Sequence, residues 1–206
     1  MKLGTDKLKN KVGRNKKILY FLLGLFIIGI GFGALLTVMM KAEDQTLVTD
    51  YLNQFFAQLK GNDLNYGSAF IQSIFSNVLF ILGIWLLGVS VIGIPIMIFM
   101  YFSKAFILGF TIASMIQNFS WKGIVLALFY TFPHQILGMI VYTLLMMYAM
   151  TLSMTLIKAF TKKKTLDFKK VINKYLFVLG LCLVGAIIMS LSEVFLMPFL
   201  MNFVVS

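Results

Sequence analysis

Apolar positions run almost unbroken through the middle of this chain. Between Asp63 and Lys158 only Lys104 and Lys122 carry charge. A stretch of about ninety residues with so little charge fits a lipid solvent, which excludes unpaired charge. Upstream, an uncharged run predicts a first transmembrane helix over 18–40. It is too long for the apolar core of a signal peptide, and it ends Thr-Val-Met-Met without a small-x-small cleavage signal. This predicts an uncleaved span. Segment 1–17 before it is basic, with Lys2, Lys7, Lys9, Lys11, Arg14, Lys16 and Lys17 against Asp6. That asymmetry predicts a cytoplasmic N-terminus.

Segment 41–67 has a different texture. It holds Glu43, Asp44, Asp50 and Asp63 against Lys41 and Lys60. Leu47, Val48, Tyr51, Leu52, Phe55, Phe56 and Leu59 recur at helical spacing, with Asp50, Asn53, Gln54 and Lys60 on the other side. The pattern predicts an extracytoplasmic amphipathic helix of about four turns, ended near Gly61. Its apolar stripe either packs on the bundle or lies in the lipid interface, or it docks an extracytoplasmic partner. In the docking case the candidate residues are Leu47, Tyr51, Leu52, Phe55, Phe56 and Leu59.

Segment 68–157 reads as the membrane core, about three spans plus a re-entrant element. From Ala69 to Ser103 two readings stay open. Either Gly93-Ile-Pro95 breaks the run into two helices, or Pro95 kinks one tilted span that emerges at Lys104. A further apolar segment covers Ala105 to Asn118, and Trp121 and Lys122 after it suit an interface. Gly123 to Phe132 is too short to span and stops at Pro133-His134, as a half-helix would. Ile136 to Ile157 is a full span. Segment 158–174 contains seven lysines and one Asp167, which predicts a cytoplasmic loop. The last span starts at Tyr175, runs to about Met197 within segment 175–206, and leaves an extracytoplasmic C-terminus, with Glu193 near its outer end. The expected fold is an all-α polytopic membrane helix bundle of about five transmembrane helices. It carries a re-entrant half-helix and one extracytoplasmic amphipathic helix.

Composition agrees. The chain is 60% hydrophobic and 12% charged, against about 25% charged in soluble domains. Its mean hydropathy is +0.94. The net charge of +11 sits at the flanks of apolar runs, where it orients spans and meets lipid headgroups rather than nucleic acid. One cysteine, Cys182, allows no intrachain disulfide.

Candidate chemistry is sparse. The spans hold no paired aspartates and no HExxH, and one histidine does not make a zinc site. Ser90 and His134 are the one nucleophile–base pairing on offer, without a strong motif or an orienting acid. The expectation is no catalytic, cofactor or metal residue, and no enzyme. Lys104 and His134 remain as intramembrane polar residues. Lys104 either snorkels at a boundary or joins His134 in lining an anion or proton path of a small channel or permease. Gly29 and Gly33 give a GxxxG spacing, for packing within the bundle or for a homodimer.

Several stretches resemble the stage II sporulation protein M family, in that family's order. They are Tyr51-Leu-Asn-Gln-Phe-Phe56, Gln72-Ser-Ile-Phe-Ser-Asn77, Gly88-Val-Ser-Val-Ile-Gly-Ile-Pro95, Lys104-Ala-Phe-Ile-Leu-Gly-Phe110 and Pro133-His134. The likeness spans about Leu47 to Leu196. The chain departs from the wider superfamily at Gln135 and Gly138, where a Gly and a Glu are usual, and at Lys104-Ala105, where Asn-Gly is usual. The resemblance implies a multi-pass scaffold of the sporulation septum and the engulfing mother-cell membrane. It also implies two partners, stage II sporulation proteins D and P, which degrade peptidoglycan.

Overall fold

A computed structural model of the chain describes residues 2–60, 66–90, 92–128, 132–162 and 168–196. Within them, the side chains of 2–14, 55, 56, 58–60, 132, 133, 160, 162, 168, 170 and 196 are not described. The expected helix end at Gly61 and the chain beyond Leu196 fall outside these residues. The fold is all-α: α1 Lys2–Met39, α2 Ala42–Lys60, α3 Tyr66–Val89, α4 Gly93–Leu126, α5 Phe132–Lys162 and α6 Phe168–Leu191, closed by a π-helical turn Ser192–Leu196. Among the described residues, five stretches are long and apolar enough to cross a membrane: Asn15–Met39, Tyr66–Val89, Gly93–Leu126, His134–Ala159 and Val171–Phe195. The protein is a multi-pass membrane protein. One end of the bundle carries α2; the other carries Lys158, Lys169 and Lys174.

The open question at Pro95 resolves into two helices. The chain turns between Val89 and Gly93, where Ser90 N–H donates to Leu87 O at 3.0 Å. Ser153 Oγ on α5 donates to Ser90 O at 2.9 Å, a carbonyl that Gly93 N–H reaches within the turn only at 3.4 Å. Pro95 sits in the first turn of α4, where its missing N–H has no intrahelical acceptor to lose. From there α4 runs straight through Lys104. Lys104 therefore does not mark the end of a span, as the kinked-span reading required.

Small residues set the main pairing. α1 packs along α4, while α3, α5 and α6 pack mutually and α4 also reaches α3 and α5. At the α1–α4 crossing Gly29 and Gly33 face Ala105 and Gly109, two small residues with the same four-residue spacing. A Cβ at Gly29 would come 2.7 Å from Ala105 Cβ, and one at Gly33 would overlap Phe106 O. Thr37 continues the seam: its Oγ1 donates to Gly33 O at 3.2 Å and lies 3.5 Å from Phe110 O across the crossing. The main core runs from the lysine end through the middle of the bundle to Met139 and Met189. Leu22, Ile81, Ile84, Met97, Leu145, Met146 and Cys182 are fully buried there. Apolar side chains on the outside, such as Phe32, Ile71, Phe99 and Phe177, face the place of lipid.

The α2 end is built by a reversal. Ser120 takes φ 50° and ψ −123° inside α4. The chain beyond it folds back: a Cβ at Gly123 would come 2.8 Å from Ile116 Cα, whereas residues seven apart in a straight helix lie about 10 Å apart. Met115, Leu126 and Ala127 then form a small second core, completed by Leu52 of α2. Val48 packs against it, and Thr49 Oγ1 donates to Asn118 Oδ1. One face of α2 is thus fastened to the folded-back end of α4.

Candidate functional site

Polar side chains on four helices converge on one cavity in the α2-end half of the bundle. Ser73, Ser76 and Asn77 come from α3, Lys104 from α4, and His134, Gln135, Gly138 and Tyr142 from α5. Met189 and Glu193 close it from the last helix. The cavity holds about 110 Å³. Its position follows from helix register. Ser73 and Asn77 lie one turn apart on one face of α3, and Ser190 and Glu193 lie three residues apart at the end of the last helix.

A hydrogen-bonded chain lines one wall. Tyr142 OH donates to Asn77 Oδ1 at 2.8 Å, and Asn77 Nδ2 donates to Ser190 Oγ at 3.1 Å. Ser190 Oγ lies 3.0 Å from Ser73 Oγ, which donates to Glu193 Oε2 at 2.6 Å. That bond lies at the short end of the O–H···O range. Glu193, near the outer end of the last helix, is half-buried and bound to the bundle.

Lys104 occupies the deep end. It lies eleven residues into α4, about 16 Å along the helix. Its Nζ sits 4.9 Å from the centroid of the Phe80 ring and 5.8 Å from that of Tyr142. Two aromatic faces are a favourable seat for an ammonium removed from water. Phe80 and Tyr142 meet edge to face with centroids 4.6 Å apart, so the seat is rigid. Beneath it Tyr101 is buried, and its hydroxyl is 2.7 Å from Thr143 Oγ1. Below Tyr101 lies the apolar core.

The structure brings Lys104 and His134 into one cavity. It does not bring Ser90 to His134. Ser153, bonded to Ser90 O, lies nineteen residues beyond His134 on α5, about 28 Å away. Ser90 and His134 therefore form no dyad. Gly29 and Gly33 lie at the α1–α4 crossing, away from the cavity. On α2 the apolar stripe is divided. Leu52 is buried against α4, whereas Leu47 and Tyr51 are 68% and 72% exposed. The side chains of Phe55, Phe56 and Leu59 lie outside the described residues.

Sequence reasoning singled out Lys104 and His134 but not Ser73, Asn77, Tyr142 or Ser190 as their company. A usable signal existed. Polar residues one turn apart inside spans are expected to seek each other across helices.

A family model described as stage II sporulation protein M matches residues 22–198. No curated protein matches the chain, and no solved structure matches it.

Proposed function

The chain belongs to the stage II sporulation protein M family, and from that premise we propose that this sporulation-related membrane protein is a non-catalytic scaffold. In this reading it anchors and localises peptidoglycan-degrading partners, stage II sporulation proteins D and P, during engulfment of the forespore. Segments 1–17 and 158–174 lie in the cytoplasm, and α2 and the C-terminus lie outside, because lysine-rich flanks are retained inside. The site of action is the sporulation septum and the engulfing mother-cell membrane.

The observation that carries the docking surface is the state of α2. One of its faces is fixed on the bundle through Leu52 and Thr49, and Leu47 and Tyr51 project from another. A helix held rigidly while presenting an aromatic and an aliphatic side chain four residues apart offers a pre-organised contact for another protein.

Co-purification of the full chain with the two hydrolases tests this. Leu47→Gln with Tyr51→Gln should cut recovery of the partners by about tenfold, while Asn53→Ala, on the exposed polar side of α2, should leave it unchanged. Recovery undiminished in the double variant would remove α2 from the interface and shift the contact to the spans. A second reading, a small channel or permease using Lys104 and His134, draws on the charged cavity alone. Ion flux in purified liposomes that is lost on Lys104→Met would establish it.

A further inference from the structure

We propose that the cavity at the α2 end binds a small zwitterion, an α-amino acid with a side chain no larger than a methyl group. Its carboxylate turns toward Lys104 and its ammonium toward Glu193. This goes beyond the scaffold reading and does not depend on it.

A basic and an acidic side chain, Lys104 and Glu193, face the same space. They do not neutralise each other by contact. Glu193 is engaged by Ser73 and Lys104 by two rings. An ammonium kept deep in a membrane bundle with its nearest carboxylate held away by Ser73 is costly, and its usual justification is a ligand or a path. A cavity with one charge of each sign at opposite ends is complementary to a molecule that carries both.

The spacing fits. Glu193 bonds Ser73, and Lys104 lies over Phe80 and over Tyr142; the Ser73 and Phe80 backbones are seven residues apart on α3. That separation is about 10 Å along the helix. The ammonium and carboxylate of an α-amino acid lie about 3 Å apart, and a hydrogen bond of about 3 Å at each end brings the span to about 9 Å. A volume of about 110 Å³ admits several water molecules or a ligand of a handful of heavy atoms. The neutral groups on the wall, Ser76, Asn77 and Gln135, supply the convergent donors and acceptors that orient a ligand.

The floor argues for binding rather than passage. Below Lys104 come Tyr101 and then Ile84, Met97 and Met146, all buried. A ligand that enters from the α2 end leaves the same way.

Equilibrium binding to the purified full chain in lipid nanodiscs tests the proposal, with radiolabelled glycine and both alanine enantiomers as probes. Acetate, methylammonium and phenylalanine serve as competitors. The expected result is saturable binding of glycine or an alanine, with acetate and methylammonium each weaker by about tenfold or more and phenylalanine inert. Lys104→Met and Glu193→Gln should each weaken binding by about tenfold or more. Gly138→Leu tests occupancy without touching a charge. A side chain there starts 3.1 Å from Met189 Sδ, inside the lining, and should abolish binding. Absence of saturable binding to the unaltered chain overturns the proposal. So does acetate binding as tightly as glycine, which would make this a simple anion site. If a variant does not fold, the ligand series on the unaltered chain still decides.

Discussion

Gly33 of α1 lies against the carbonyl of Phe106 on α4, so closely that a Cβ at Gly33 would overlap that oxygen and fall 2.7 Å from Phe110 N. The two helix backbones touch there with no side chain between them. Lipid supplies no hydrophobic drive for helix association, so this close approach, with its dispersion contacts, is what fixes α1 on the bundle.

Gly33→Ala should therefore destabilise the protein by about 1–3 kcal/mol. Gly31→Ala, two residues away, should not, because a Cβ there has nothing within 4 Å. Thermal unfolding of the two variants in the same detergent checks the contrast. Equal midpoints would mean that α1 is held elsewhere.

Gly109 is the reciprocal residue, since its Cβ would fall 2.6 Å from Ile30 Cα. Gly109→Ala should destabilise the chain to a similar extent. The double variant should lose less than the sum, because either substitution alone already separates the helices. A thermodynamic cycle on the four proteins measures this, and strict additivity would contradict a single shared seam.

Ser120 holds φ 50° and ψ −123°, a conformation that glycine adopts freely and side-chain-bearing residues avoid. Ser120→Gly should stabilise by about 1 kcal/mol, and Ser120→Val should destabilise by about 1–3 kcal/mol. Unfolding midpoints in this order would verify the reversal that seats α2; the opposite order would refute it.

Asn77 joins Tyr142 to Ser190. Asn77→Leu leaves the Tyr142 hydroxyl without its acceptor and Ser190 without that donor, at a cost of about 1–3 kcal/mol. A single unfolding measurement tests it, and a neutral or stabilising result would show that water replaces the amide.

Lys104 should behave in the opposite sense. It holds an ammonium deep in the bundle, so Lys104→Met should raise stability by about 1 kcal/mol or more while weakening ligand binding by about tenfold or more. A gain in stability joined to loss of binding is the signature of a residue kept for function. A fall in both would mark it as structural.

Much of the fold could be read from periodicity and charge. The five spans follow from apolar length, and the amphipathic character of α2 follows from helical spacing at Val48, Tyr51 and Leu52. Resolution failed where two outcomes have the same local pattern. Pro95 is compatible with a kink or a new helix, and the difference lies in the turn that Ser153 caps from another helix. Gly29 and Gly33 were visible as a packing motif. Their partners Ala105 and Gly109 were not, because small residues are common in spans and only the crossing selects the pair. The short stretch after Trp121 was legible as too brief to cross. Its reversal at Ser120 depends on a backbone conformation that serine rarely adopts.

By itself the sequence determined that this is a helical membrane protein with lysine-rich segments on both flanks of its spans, because a lipid solvent leaves its mark on every residue it touches. The tertiary structure decided the site. Lys104, Ser73, Asn77, Tyr142 and Glu193 are scattered over four helices and up to 120 positions apart, and no local pattern relates them. Their meeting depends on helix crossings fixed by small residues, a relation between distant turns that hydrophobic periodicity does not encode.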